Sequence, residues 1–168
     1  VPNHAGAFPF DGVMLKVAMQ NEHSSKRDLR FLVEDFLYHL PFAGTFMNRI
    51  GGVRACQENA ERLLADGTAI ATFPEGIQGV GKLFHERYKI QRFGRGGVIK
   101  LAIRTKSPIV PVAIVGNEEI YPLLGKVSRF AEYIGVPFIP ITPTFPWLGP
   151  LGLVPAPVKW SIHFGRPI

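Results

Sequence analysis

The sequence predicts an α/β fold with a mostly parallel central sheet flanked by helices. Three observations carry that prediction. Helix-like and strand-like segments alternate along the chain, as they do where crossover helices connect parallel strands. Residues 68–73 and 108–116 are short, almost wholly apolar runs, the pattern of strands buried on both faces. Amphipathic helical segments, 58–65 and 96–106, precede these runs. At 168 residues the chain is long enough to bury a substantial core, so residues 1–168 are read as one domain. The chain opens on Val1 with a candidate functional histidine already at position 4, so it is expected to lack its native N-terminal segment.

Residues 1–4 read as the end of a strand entering a Gly/Pro loop, with Gly12–Met19 following as an apolar helix. Residues 20–28 are a polar connection in which His23 is expected to be solvated, and Leu29–Val33 is a short strand. From Glu34 to Arg49 the apolar spacing is helical but interrupted by Pro41, which predicts two short helices with a break. Gly51–Ala55 reads as a turn into a strand, and Glu58–Ala65 as a helix stopped at Gly67. The 68–73 strand ends at Pro74-Glu75-Gly76, and residues 77–97 read as a glycine-studded basic loop. Gly96–Lys106 is a helix with Val98, Ile99, Leu101, Ala102 and Ile103 inward, followed by the 108–116 strand. Glu118–Leu124 and Val127–Ile134 read as short helices, and Lys159–Phe164 as a half-buried last strand.

Composition narrows the partners. The net charge of +6 suits an anionic one: a phosphate ligand, an anionic membrane surface or nucleic acid. A single cysteine, Cys56, excludes an internal disulfide. From Tyr133 to Val158 no residue is charged, a length that could span a bilayer, but seven prolines forbid a continuous helix there. Irregular chain cannot cross hydrocarbon exposed to lipid, so the segment either packs over the core or lies on a membrane interface. Phe145, Trp147, Leu148, Leu151 and Leu153 decide between these: exposed together, they form a patch too large to be incidental.

Three constellations could carry chemistry. The first is His4 with Asp11, six residues between them: a carboxylate that fixes a histidine's tautomer makes it a general base. Asp11 alone could equally cap the helix that follows. The second is Phe73-Pro74-Glu75-Gly76 with Gly79, Gly81 and Lys82. Glycine turns after a buried strand can turn N–H groups toward an anion, or can simply need φ > 0. Glu75 could be a catalytic acid or a ligand for backbone N–H groups. The third is a basic run from Lys82 to Lys106, eight bases against the single acid Glu86, including Arg95. Lys100, Arg104 and Lys106 share one helix and read best as a solvated face. A nucleic-acid role would leave the His4–Asp11 loop and the apolar segment without a use. No His-x-His or Glu-x-x-His spacing supports a metal site, and no Gly-x-Ser-x-Gly elbow supports a serine hydrolase.

Asn3-His4…Asp11, Gly51-Gly52-Val53, Phe73-Pro74-Glu75-Gly76 and Ile109-Val110-Pro111-Val112-Ala113 together resemble, in order, the four blocks of the glycerolipid and lysophospholipid acyltransferases. The resemblance covers nearly the whole chain. The Asn-His-Ala-Gly and Pro-Phe-Asp pieces, with the 81–97 segment, look most like a bacterial branch near the monoacylglycerol acyltransferase-like group. It implies a glycerol-phosphate-acyltransferase-like fold and a single acyltransferase domain. It also implies transfer of an acyl group from acyl-CoA or acyl carrier protein, as co-substrate and without a cofactor, to a lipid hydroxyl. His4 would be the base, Asp11 its orienting partner, and no acyl-enzyme would form. Glu75, Gly76, Lys82 and Arg54 would bind the acceptor or its phosphate. The implied partners are a thioester donor, a lipid acceptor and a membrane surface at the cytoplasmic face, with no nucleic acid and no metal. The spacing is His-x6-Asp where the family has His-x4-Asp, so the loop must bulge for Asp11 to reach His4. Ile77-Gln78 stands where the family commonly has Thr-Arg, and Arg54 matches the second block loosely; both weaken a lysophosphatidic-acid acceptor and leave neutral alcohols open. The alternative is a catalytically inactive lipid- or phosphate-binding module on the same fold, in which His4 and Asp11 would point apart.

Overall fold

A computed structural model describes residues 1–4, 10–94 and 96–168. The loop whose bulge the His-x6-Asp spacing requires (residues 5–9) and Arg95 of the basic run lie outside the described residues.

Helix α1 (Phe10–Asn21) leads into strand β1 (Leu29–Val33), the centre of a three-stranded parallel sheet. Two short helices follow, α2 (Phe36–His39) and α3 (Ala43–Ile50), broken around Pro41, whose ring cannot continue the first of them. Strand β2 (Gly52–Arg54), helix α4 (Gln57–Ala65) and strand β3 (Ala69–Ala71) complete the sheet in the order β2-β1-β3. Phe31 stands opposite Gly52 on one side and Ala71 on the other. Small neighbours beside a large ring let α1 pack close: Leu15, Leu29, Phe31, Val33, Met47 and Ala71 form the buried core. Each large member contributes roughly 1.5–3 kcal/mol by leaving water.

The glycine-rich segment after β3 is more ordered than the loop expected there. It contains helix α5 (Gly76–Val80) and a 3-10 turn (Phe84–Glu86). Helix α6 (Gly97–Thr105) turns a half-buried face inward, but Ile99 and Ile103 are exposed rather than inward. At 3.6 residues per turn Val98, Leu101, Ala102 and Thr105 share a face, and Ile99 and Ile103 fall outside it. Strand β4 (Val112–Val115) pairs antiparallel with the last strand, β7 (Ser161–Phe164).

Glu118–Leu124 forms no helix, and most of 127–134 is not helical either. Strand β5 (Gly125–Val127) pairs antiparallel with β6 (Ile139–Ile141), and only a 3-10 turn occupies Glu132–Ile134. The pairing wins because it satisfies backbone groups across the proline-rich segment, where helix is barred. His23 is not simply solvated: its ring meets the edge of Phe164 at 4.7 Å and its Nδ1 lies 2.7 Å from Ser25 Oγ.

Asp28 ties α1 to β1. The Lys16 ammonium hydrogen-bonds it and, with Arg30 beside it, holds its carboxyl below the usual range. A carboxyl with a depressed folded pKa stabilises above its unfolded pKa, and that contribution is lost as pH falls through the folded value. Asp28 is half exposed, so Asp28→Asn is expected to cost no more than about 1 kcal/mol at neutral pH. The difference between variant and parent should vanish in urea melts run at acid pH.

Candidate active site

The site is assembled where β3 ends, outside the carboxyl edge of the parallel sheet, the usual ligand position in open α/β folds. His4 is brought there by its neighbours. Val112 N–H donates to Val1 O (3.0 Å), and Pro2 bridges Val112 in parallel. Asn3 then mimics a strand residue with its side chain: its Oδ1 accepts Ile114 N–H (2.7 Å) and its Nδ2 donates to Ile114 O (3.0 Å). The first residues are thereby clamped to β4, and His4 emerges at a fixed place.

Asp11, in the first turn of α1, reaches it: His4 Nδ1 lies 2.8 Å from Asp11 Oδ2. Asp11 is 1% exposed, and its Oδ1 accepts a hydrogen bond from Asn117 Nδ2 at 3.2 Å. With Nδ1–H donating to the carboxylate, Nε2 is the nitrogen that accepts a proton. The ring also packs on Phe73 with centroids 4.5 Å apart. Sequence and structure agree that Asp11 stands at a helix start, and its carboxylate faces His4 and Asn117.

Glu75 is turned to the backbone. It is buried, and its two carboxylate oxygens accept backbone N–H groups from His4 (2.9 Å) and Gln91 (2.7 Å). Lys82 lies beside it, its Nζ 3.8 Å from Glu75 Oε2 and 2.7 Å from Glu118 Oε1, with all three side chains buried. Glu118 also accepts the Tyr88 N–H. Lys82 is therefore committed to two carboxylates. Arg54 is exposed and forks onto Asp35, an ion pair that lowers the Asp35 carboxyl and raises the guanidinium. Arg104, read as part of a solvated face, pairs with Glu61 of α4 at 3.1 Å.

Of the two readings of the glycines at 76–81, their hydrogen bonds favour the turn, since the N–H groups are used within the chain. Gly76, Gly79 and Gly81 N–H donate to Phe73, Glu75 and Ile77 carbonyls. The glycines have other reasons. Gly76 adopts φ +53° at the cavity wall. A Cβ on Gly79 would sit 2.9 Å from both the Cβ and the carbonyl oxygen of His4. Gly79→Ala is expected to cost about 1–3 kcal/mol by overpacking and to lower turnover more than a surface substitution does, because the clash falls on His4 itself. Melting temperature and initial rate, measured together, check both parts.

Asn117 and Glu118 were missed as site residues because the run after β4 reads as a helix. The available signal was position: a polar Asn-Glu-Glu one glycine after the 108–115 apolar run, as Pro-Glu follows the 68–73 run. Gly116 makes the turn, with φ +95° and no room for a Cβ, which would lie 2.3 Å from Lys159 O.

His4 opens onto an apolar cavity of about 470 Å3. Its wall includes Phe31, Phe36, Leu37 and Leu40 from the β1–α2 region, and Val136, Phe138, Ile139 and Phe145 from the uncharged segment. The uncharged 133–158 segment thus divides: Phe145 lines the cavity, Trp147, Leu148 and Leu151 are exposed, and Leu153 lines the cavity while keeping part of its surface in solvent. Among the described residues no helix is long and apolar enough to cross a membrane, and no group of three or more His, Cys, Asp or Glu is gathered as for a metal.

An imidazole backed by a buried carboxylate, at the rim of an apolar cavity, is suited to proton transfer beside a hydrophobic ligand. Residues 1–115 match the acyltransferase family model, and the chain belongs to that family. Over all 168 residues it is 54% identical to an uncharacterized protein of Mycobacterium tuberculosis, of which it covers 47%, and likewise 54% to one of Mycobacterium leprae, covering 46%. Over 144 residues, 85% of this chain and 40% of the relative, it is 28% identical to a Gallus gallus protein named DGAT1/2-independent enzyme synthesizing storage lipids. It shares its fold with the 1-acyl-sn-glycerophosphate (LPA) acyltransferase PlsC of Thermotoga maritima, at TM-score 0.53 and 19% identity, over 99% of this chain and 53% of that one. The expected glycerol-phosphate-acyltransferase-like fold is observed. The chain spans about half the length of the curated relatives it matches.

Proposed function

We propose that this domain moves a fatty acyl group from an acyl-CoA or acyl carrier protein thioester to a hydroxyl of a glycerolipid or lysophospholipid. The acceptor oxygen attacks the thioester carbonyl carbon while His4 Nε2 takes its proton. The carbon–sulfur bond then breaks, the thiolate leaves with that proton, and an ester and a free thiol result. Asp11 holds the tautomer and steadies the imidazolium. No acyl-enzyme is formed, so both substrates must be bound at once, and their mutual orientation supplies much of the rate.

The observation that carries this reading is the 2.8 Å contact between His4 and Asp11 at the cavity rim. A binding module has no need of it. The cavity, within the ~300–1,000 Å3 range of small-ligand sites, takes the acyl chain. Glu75 and Gly76 order the site around His4. With Lys82 and Arg54 both engaged by carboxylates, a neutral glycerolipid such as monoacylglycerol or diacylglycerol fits better than a phosphorylated acceptor. The enzyme works at a membrane surface, on its cytoplasmic face, where such acceptors reside.

The test is thiol release by the full-length protein from acyl-CoA and from acyl carrier protein, with lysophosphatidic acid, monoacylglycerol and diacylglycerol as acceptors. Thiol release that depends on an acceptor, with the matching ester as product, is expected. Release without acceptor, or none at all, would sink the proposal.

A further inference from the structure

Phe145 and Leu153 both line the His4 cavity, but the chain between them loops away from it as the Gly149–Leu153 3-10 turn. That loop presents Trp147 at 73% exposure, Leu148 at 56% and Leu151 at 72%, with Val154 following at 62%. A second turn behaves alike: Ile134 lines the cavity, while Phe130 and Tyr133 stand exposed. Large apolar side chains turned to solvent therefore continue directly from the cavity wall.

The Trp147 turn is braced. Leu148 N–H donates to Thr144 O (2.9 Å), Thr144 Oγ1 to Gly152 O (3.1 Å) and Phe145 N–H to Thr142 Oγ1 (2.9 Å). Tyr121 Oη donates to Leu153 O. So many exposed apolar side chains on a preformed support mark an interaction surface. Its chemistry fits lipid: Trp and Tyr are the residues of the membrane–water interface. The run from Tyr133 to Val158 carries no charge; Lys126, Arg129 and one acid, Glu132, precede it, Lys159 follows it, and the chain is +6 overall. Cations flanking an apolar turn match an anionic headgroup layer.

We propose that the Trp147–Val154 turn, with Phe130 and Tyr133, enters the interfacial layer of an anionic phospholipid bilayer and sets the mouth of the His4 cavity against it. This rests on the acyl-transfer reading of that cavity. The lipid acceptor and the acyl chain then pass between bilayer and cavity along apolar surface, without crossing water.

The experiment uses the full-length protein with Trp147 as its only tryptophan, and vesicles of phosphatidylcholine and phosphatidylglycerol in equal parts. On binding, Trp147 emission is expected to shift to the blue and to be quenched by lipids brominated on their acyl chains. The double variant Trp147→Glu/Leu151→Glu is expected to need about tenfold more lipid for half-binding, with unchanged melting temperature and unchanged turnover on detergent-dispersed acceptor. Unquenched Trp147 on vesicle-bound protein, or half-binding of the double variant within twofold of the parent, would overturn the proposal. Failure of the two readings is separable. Quenched Trp147 without any thiol release removes the acyl-transfer reading and keeps the docking face. Thiol release with unquenched Trp147 does the reverse.

Discussion

His4→Ala is expected to lower acceptor-dependent thiol release by about 10²–10⁴-fold, the usual contribution of a positioned general base. The loss should fall on kcat with KM little changed, because the proton moves only as the oxygen attacks. The side chain is partly buried against Phe73, and its backbone N–H is held by Glu75, so removing the side chain leaves the backbone at position 4 anchored. Asp11→Asn separates orientation from mere presence. An asparagine amide facing Nδ1 can donate to it, which moves the ring proton to Nε2 and leaves no acceptor for the substrate hydroxyl. Turnover should therefore drop in Asp11→Asn as well, although His4 is intact. Rates of His4→Ala within a few fold of the parent would remove His4 as the base.

Local patterns made much of the fold legible. β1 is the predicted Leu29–Val33, α1 contains the predicted Gly12–Met19, and the Pro41 break divides α2 from α3. Each depends on residues within one or two turns of one another. The β5–β6 pair was not legible. Its strands are three residues each, too short for a period of two to register, and β6 contains Pro140, which argues against a strand. In the site, the residue types of His4 and Asp11 suggested a pair, and their proximity along the chain made contact plausible. The commitment of Lys82 could not be read: Glu118 is 36 residues away, and the turn after β4 that delivers it looks helical in sequence. A lysine among glycines resembles a phosphate ligand until its partner is known. Likewise Glu75 could be read as acid or as N–H acceptor, and only the positions of His4 and Gln91 N–H resolve its contacts.

Lys82→Met is expected to destabilise the domain by about 3–5 kcal/mol, the cost of removing one partner from a buried ion pair. For a chain of this size that is a fall in melting temperature of roughly 6–20 °C. The reason is what remains behind. Methionine keeps most of the volume, so the loss is not a cavity effect, but Glu118 and Glu75 are left as two buried carboxylates with their shared cation gone. Glu75 keeps two N–H donors and Glu118 keeps one, which compensates each only in part. Replacing Glu118 by glutamine in the same chain removes one of the orphaned charges, so Lys82→Met/Glu118→Gln should recover a large share of the lost stability. Thermal melts of the single and double variants measure this directly. A single variant that melts within a degree or two of the parent would mean that the ammonium does not neutralise this site. The same network reaches the chemistry, because the Glu75 carboxylate that Lys82 steadies is the one that accepts His4 N–H. At temperatures where Lys82→Met is still folded, its turnover should already be reduced. Lys82→Arg, which keeps the charge in a bulkier group, should retain more turnover than Lys82→Met if the positive charge is what holds Glu75 in place.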